Sequence, residues 1–112
     1  MKLIAVTACI SGVAHTYMAA EQLEKLCHKK GFPIKIETQG ALGIDHALSS
    51  EDIDAAQIVI IAADISIEGF ERFQRNRIIK LPIKTILKSP DIILSAIEKI
   101  RNAPPSTVLE IS

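Results

Sequence analysis

The chain has 112 residues, 48% of them apolar, with 13 acidic and 13 basic side chains. That length holds one domain with a modest core, and the even charge balance argues against a uniformly basic nucleic-acid surface or a polyanionic tail. One Tyr, three Phe and no Trp leave little material for stacking bases.

In chain order, "KLIAVT" (2–7) is a short apolar run rich in branched residues, which predicts a strand covered on both faces. From Ala14 to Lys30 the period changes. Ala19, Ala20, Leu23, Leu26 and Cys27 share one helical face, polar residues hold the other, and Gly31 is placed to close the helix. "PIKIETQ" (33–39) alternates and predicts an edge strand opened by Pro33. "GALGIDHAL" (40–48) reads as a loop. Ser49 or Ser50 then caps a short helix, with Asp52 near the box position and Leu48 set to staple onto Ile53.

"QIVIIAA" (57–63) is the most apolar run and predicts a central strand ended by Asp64. "IEGFERFQ" is a helical or irregular connector, and "RIIKL" (77–81) a fourth strand stopped by Pro82. Ser89 as N-cap and Pro90 at the first helical position open a last helix whose apolar face is Ile93, Ala96, Ile97 and Ile100. Pro104-Pro105 ends it, so the expected division is a domain over 1–103 and a mobile tail over 104–112.

Strands alternating with helices imply a single three-layer α/β domain, a parallel sheet with helices on both faces. Four strands fit the flavodoxin-like order 2-1-3-4, and ligands then bind beyond the carboxyl ends of the first and third strands. "ACISGVAH" and Asp64 both fall there.

Cys9 and Cys27 form neither a Cys-x-x-Cys pair nor a zinc-ligand spacing, which favours a reducing compartment. "KLIAVTAC" superficially resembles a signal core, but a helical pattern follows Cys9 without pause. No run reaches the ~20 apolar residues of a membrane span. A cytoplasmic protein is therefore expected, without metal or cofactor.

The stretch "ACISGVAHT" carries chemistry. A cysteine facing a helix amino end meets unpaired amides that favour its thiolate. Ser11, Gly12, Val13, Ala14 and His15 each offer a main-chain N–H, as does Ile10, and Gly12 lets the backbone curl round an anion. Ser11 and Thr16 add hydroxyls, and His15 a ring nitrogen. The spacing Cys-x5-His-Thr resembles the Cys-x5-Arg cradle of protein tyrosine phosphatases and points to a low-molecular-weight-phosphatase-like domain. His15 stands where those enzymes place arginine and cannot make its bidentate grip. A phosphorylated sulfur here suits a carrier better than a hydrolase.

The blocks "VTACISGVAHTYMAAEQLEK", "IKIETQGALGID", "SSEDIDAAQIVIIAADI" and "ERF" together resemble the fructose-type (fructose-like) enzyme IIB component of the phosphoenolpyruvate-dependent sugar phosphotransferase system. The resemblance runs from about Lys2 to Phe73. It implies that Cys9 takes a phosphoryl group from a phosphohistidine on a IIA partner and passes it to a sugar held by the membrane permease IIC, and that residues 10–16 bind the phosphoryl group. It also implies a cytoplasmic protein peripherally associated with that permease; one small domain visiting two partners need be no more than a monomer. Two departures stand out: Ile10 where the family has proline, and "QRNR" (74–77) where a glycine-lysine-proline turn is expected. The alternatives are a stand-alone cysteine-dependent phosphatase and a non-catalytic thiol or regulatory module.

The remaining candidates have plainer readings. Cys27 belongs to the core, and His28 and His46 to solvent. Asp64 either ends its strand or acts as an acid beside the cysteine. Arg72, Arg75, Arg77 and Lys80 form a solvated basic face or meet an acidic partner, and Gln39-Gly40 either border the site or form a turn.

Overall fold

The computed structural model describes residues 1–9, 13–40 and 43–112. β1 (Leu3–Ala8) is wholly buried, as its unbroken apolar run requires. The chain then climbs α1 (Val13–Lys29), which ends in a Schellman motif. Gly31 adopts φ 74°, its N–H donates to His28 O at 3.1 Å, and Phe32 N–H donates to Cys27 O at 2.9 Å.

β2 (Ile34–Gly40) runs parallel to β1. It is not the expected edge strand, because β3 (Gly43–Asp45) pairs antiparallel with its far side. Three residues inside a glycine-rich stretch are too few for alternation to reveal a strand. α2 (Ser50–Ala55) opens with the expected capping box: Asp52 N–H donates to Ser49 Oγ, and Ser49 N–H to Asp52 Oδ2. Leu48 and Ile53 lie in one apolar cluster, as a staple requires.

β4 (Ile58–Ala63) follows, then a 3-10 turn over Phe70–Phe73 and β5 (Arg77–Leu81). Beyond Pro82 the structure departs from the expected single helix. α3 (Ile83–Lys88) comes first and α4 (Ile92–Ile100) second, with Asp91 at the α4 N-cap. Ser89 closes α3, since its N–H donates to Thr85 O at 2.9 Å. The tail is not wholly loose either: β6 (Val108–Glu110) pairs parallel with β5.

The sheet is therefore mixed and six-stranded, in the order β3-β2-β1-β4-β5-β6, not the expected four-stranded parallel 2-1-3-4. The four anticipated strands lie side by side in its centre, and the two missed strands flank them. Edge strands bury one side at most and need little apolar sequence, so they escape a hydrophobicity reading. One face carries the larger core, where Ala19, Leu23 and Cys27 of α1 meet Leu3, Ala5, Ile58 and Ile60, with Ile83 and Ile86 of α3 and Ile93 and Ile97 of α4. The other face buries Ile4, Val6, Val59, Ile61 and Ile78 beneath Leu48 and Phe73.

Candidate functional site

The chain leaves β1 towards β2 through α1, and returns across β1 to enter β4. The sheet order thus reverses at β1, and a crevice opens beyond the carboxyl ends of β1 and β4. Register carries two residues to that point. Ala8 pairs with Ala63, so Cys9 and Asp64 are the next residues along two adjacent parallel strands. Asp64 N–H donates to Ala8 O at 3.2 Å, extending the ladder by one bond.

The Cys9 thiol donates to Asp64 Oδ2 across 3.6 Å. The second carboxylate oxygen, Oδ1, accepts the Ile83 N–H at 3.2 Å, at the start of α3. Asp64 thus both terminates its strand and touches the sulfur. Cys9 is 5% exposed, while Asp64 is exposed and lines a cleft with His15, Ile83, Lys84, Leu87 and Lys88. The sulfur stands behind a carboxylate that opens to solvent.

Of the other anticipated phosphoryl-binding residues, Ile10, Ser11 and Gly12 lie outside the described residues. Val13 begins α1, a helix with no acidic residue in its first turn, so the positive end of its dipole is not offset locally. Ala14 and His15 are exposed on that turn. Thr16 is 1% exposed, and its hydroxyl has no hydrogen-bond partner among the described residues.

Gln39 and Arg72 do something the sequence reading did not anticipate. Glu37, whose side chain is fully buried, receives Arg72 Nη1 on Oε1 at 2.8 Å and Arg72 Nη2 on Oε2 at 2.9 Å. Gln39 Nε2 adds a bond to Oε2, and Leu48 N–H one to Oε1. Burial pushes the Glu37 carboxyl up, but the guanidinium, the amide and the backbone N–H together outweigh it and leave it lowered. Gln39 also exchanges two bonds with the backbone of Glu68, at 2.8 and 3.0 Å. The loop after β4 is therefore tied to β2. Arg72 Nε donates to Gly69 O, and Gly69, at φ 72°, has room for no Cβ beneath that guanidinium. Arg72 is a half-buried clamp on Glu37 and not the fully solvated residue that the basic stretch suggested. The signal available was a glutamate facing inward on an alternating strand, which demands a cation.

Cys27 is fully buried, and desolvation pushes its thiol up to about 11. His28 and His46 are exposed, and among the described residues no cluster of three or more ligating side chains could hold a metal. Lys84 and Lys88 were missed with α3; Ile83, Ile86 and Leu87 behind Pro82 carried the helical spacing that marks it. Five of the exposed large apolar residues, Tyr17, Met18, Ile44, Ile65 and Phe70, belong to segments next to the carboxyl end of the sheet. Tyr17 there donates its hydroxyl to Asp45, joining α1 to β3.

A sulfur at the switch point of a doubly wound sheet, at the foot of a helix and backed by a carboxylate, defines a thiol-centred α/β domain. Comparison gives the family: residues 4–96 match the family described as PTS system, Lactose/Cellobiose specific IIB subunit, and the chain belongs to the sugar phosphotransferase system IIB family. It is 49% identical over 107 residues to the PTS system fructose-like EIIB component 3 of Escherichia coli K12, covering 96% of this chain and 95% of that one. The crystal structure of a predicted fructose-specific IIB from Escherichia coli superposes with a TM-score of 0.94 at 47% identity, covering 99% of this chain and 98% of that chain. The PTS system fructose-specific EIIABC component of Bacillus subtilis is 41% identical over 93 residues, 83% of this chain and 14% of that protein. The chain is thus a component of sugar phosphotransfer, of the fructose-like EIIB kind, and such components are phosphotransferases. No helix among the described residues is long and apolar enough to cross a membrane.

Proposed function

We propose that the protein is a phosphocarrier in which Cys9 is the covalent nucleophile. It accepts a phosphoryl group from a phosphohistidine of a IIA partner, holds it as phosphocysteine, and passes it to a fructose or fructose-like sugar bound by a membrane IIC permease. The observation that carries this reading is the placement of Cys9 at the switch point, its thiol directed at Asp64, in a chain of the IIB family. The main-chain amides and hydroxyls of Ile10, Ser11, Gly12, Val13, Ala14, His15 and Thr16 neutralise the phosphoryl oxygens, so no metal or cofactor is required. The first turn of α1, which holds no acidic residue, and the buried Thr16 hydroxyl, unpartnered among the described residues, support that assignment.

The printed name of the Bacillus relative, EIIABC, supports IIA and IIC as the two partners. The protein works at the cytoplasmic side of the membrane, as a monomer visiting each in turn. The apolar side chains near the carboxyl end of the sheet suit such brief docking. His15 in place of the phosphatase arginine favours a carrier over a hydrolase, because the phosphothiol lacks the bidentate clamp that promotes attack by water.

Incubation with phosphoenolpyruvate, enzyme I, HPr and a cognate IIA is expected to add one phosphoryl mass to Cys9, and Cys9→Ser to abolish it. An unchanged mass gain in that variant refutes the assignment. Sustained hydrolysis of aryl phosphates by the wild type would instead identify a phosphatase.

A further inference from the structure

The contact between Cys9 and Asp64 has a chemical use. The thiol is directed at a carboxylate oxygen, the arrangement in which a carboxylate can accept the proton of a nucleophile as it reacts. Among the described residues no Lys or Arg is ion-paired with Asp64, so no cation occupies the carboxylate oxygen that faces the sulfur. The carboxylate is also held in place. Oδ1 is fixed by the Ile83 N–H and the backbone by Ala8 O, which leaves Oδ2 directed at Sγ.

We infer that Asp64 is a catalytic residue of the phosphoryl-loading step, taking the Cys9 thiol proton as the sulfur accepts phosphorus; this rests on the phosphocarrier reading. The bonds balance as follows. The S–P bond forms as the S–H bond breaks. The P–N bond of the N-phosphorylated imidazole on the donor protein breaks, and its electron pair stays on nitrogen. The proton moves to Asp64 Oδ2. The carboxyl group is then neutral at the moment a phosphoryl dianion arrives beside it, and the repulsion that an ionised Asp64 would exert on that dianion is removed. Because Asp64 is exposed in its cleft, the proton afterwards leaves to solvent. An outright anionic sulfur would need no such acceptor, and a carboxylate would then only hinder loading.

The charged and titratable groups bordering Asp64 come from every neighbouring element: His15 on α1, Lys84 and Lys88 on α3, and Lys80 of β5 with Glu110 of β6 across the adjoining cavity.

The test follows phosphorylation of Cys9 by mass after mixing with the phosphorylated IIA protein of the reconstitution, across about pH 6 to pH 8. Asp64→Asn keeps an oxygen for the Ile83 N–H but cannot hold the proton. Its thermal midpoint is expected to stay near wild type while loading at neutral pH slows by about 100-fold, the low end of acid–base contributions. Its rate should then climb about tenfold per pH unit as hydroxide takes over, a slope absent from wild type. Asp64→Glu is expected to restore much of the rate. Loading by Asp64→Asn that equals or exceeds wild type overturns the inference and leaves the phosphocarrier reading standing. Absence of loading in wild type removes that reading and this one with it. Should Asp64→Asn not fold, wild type decides alone: slower loading in deuterium oxide is expected, and equal rates overturn the proton transfer.

Discussion

Arg72 grips Glu37 with both terminal nitrogens, at 2.8 and 2.9 Å, and the carboxylate it grips is fully buried. The pair joins β2 to the turn after β4, on the face of the sheet opposite Cys9. The 4.8 Å approach of the guanidinium to the Phe73 ring adds a stacking contact.

Removing Arg72 strands that carboxylate. Arg72→Met is expected to lower the unfolding free energy by about 3 kcal/mol or more, the cost of breaking a buried pair from one side. Gln39 and Leu48 still donate to Glu37 and keep the loss at the lower end. Adding Glu37→Leu to Arg72→Met should recover part of it, because the uncompensated charge is then gone. Denaturant titration of the two single variants and the double variant checks this, and additive losses would show that the residues act independently.

Acid stability has a named source. The Ser49 backbone N–H, then Lys35 and the Ser49 hydroxyl, hold the Asp52 carboxyl down at about 2, and Glu37 is lowered as well. Both pKa values lie below those of the unfolded chain, so the stabilisation is present above the ordinary carboxylate range and is lost as pH falls through the folded values. Thermal midpoints should therefore drop between roughly pH 4 and pH 2. Asp52→Asn should flatten that slope while lowering the midpoint at neutral pH. A slope identical to wild type would mean the capping box does not set the acid limb.

The two thiols should separate cleanly under alkylation. Cys27 is fully buried and its thiol is raised to about 11, whereas Cys9, 5% exposed, lies behind Asp64, a single side chain that opens to a cleft. Native protein treated with iodoacetamide is expected to carry one label, on Cys9, and a second on Cys27 after denaturation. The same burial has a linked consequence. With the folded value raised, stability is full below the unfolded thiol's range and declines as pH rises from about 9 towards about 11. Peptide mapping of the label, with Cys27→Ala as control, decides the order.

Much of the fold was legible because long elements carry strong local signals. The α1 face of Ala19, Leu23 and Cys27, the Gly31 stop and the Ser49–Asp52 box all follow from spacing and turn chemistry within a few residues. β3 and β6, three residues each, were not legible, since they owe their strand form to a neighbour's open edge and not to their own residues. Between Pro82 and Ile100 the sequence predicts a single helix, opened by Ser89 and Pro90, and α3 before it has no side-chain cap to announce it. Ser-Pro is a strong start signal, but here Ser89 ends one helix before another begins.

Of the site, Cys9 was legible by itself, because a cysteine at the end of an apolar strand, followed by a small-residue turn and a helix, is a local pattern. Sequence alone also determined which faces of α1 and α4 turn inward, since that depends on period and on nothing distant. That Asp64 would touch Cys9, and Arg72 would clamp Glu37, depended on strand order and register, which bring together residues 55 and 35 positions apart. Pairings across such separations arise when β1 docks between β2 and β4 and the ladder is drawn into step. No short window of the chain contains that information, and only tertiary packing could decide it.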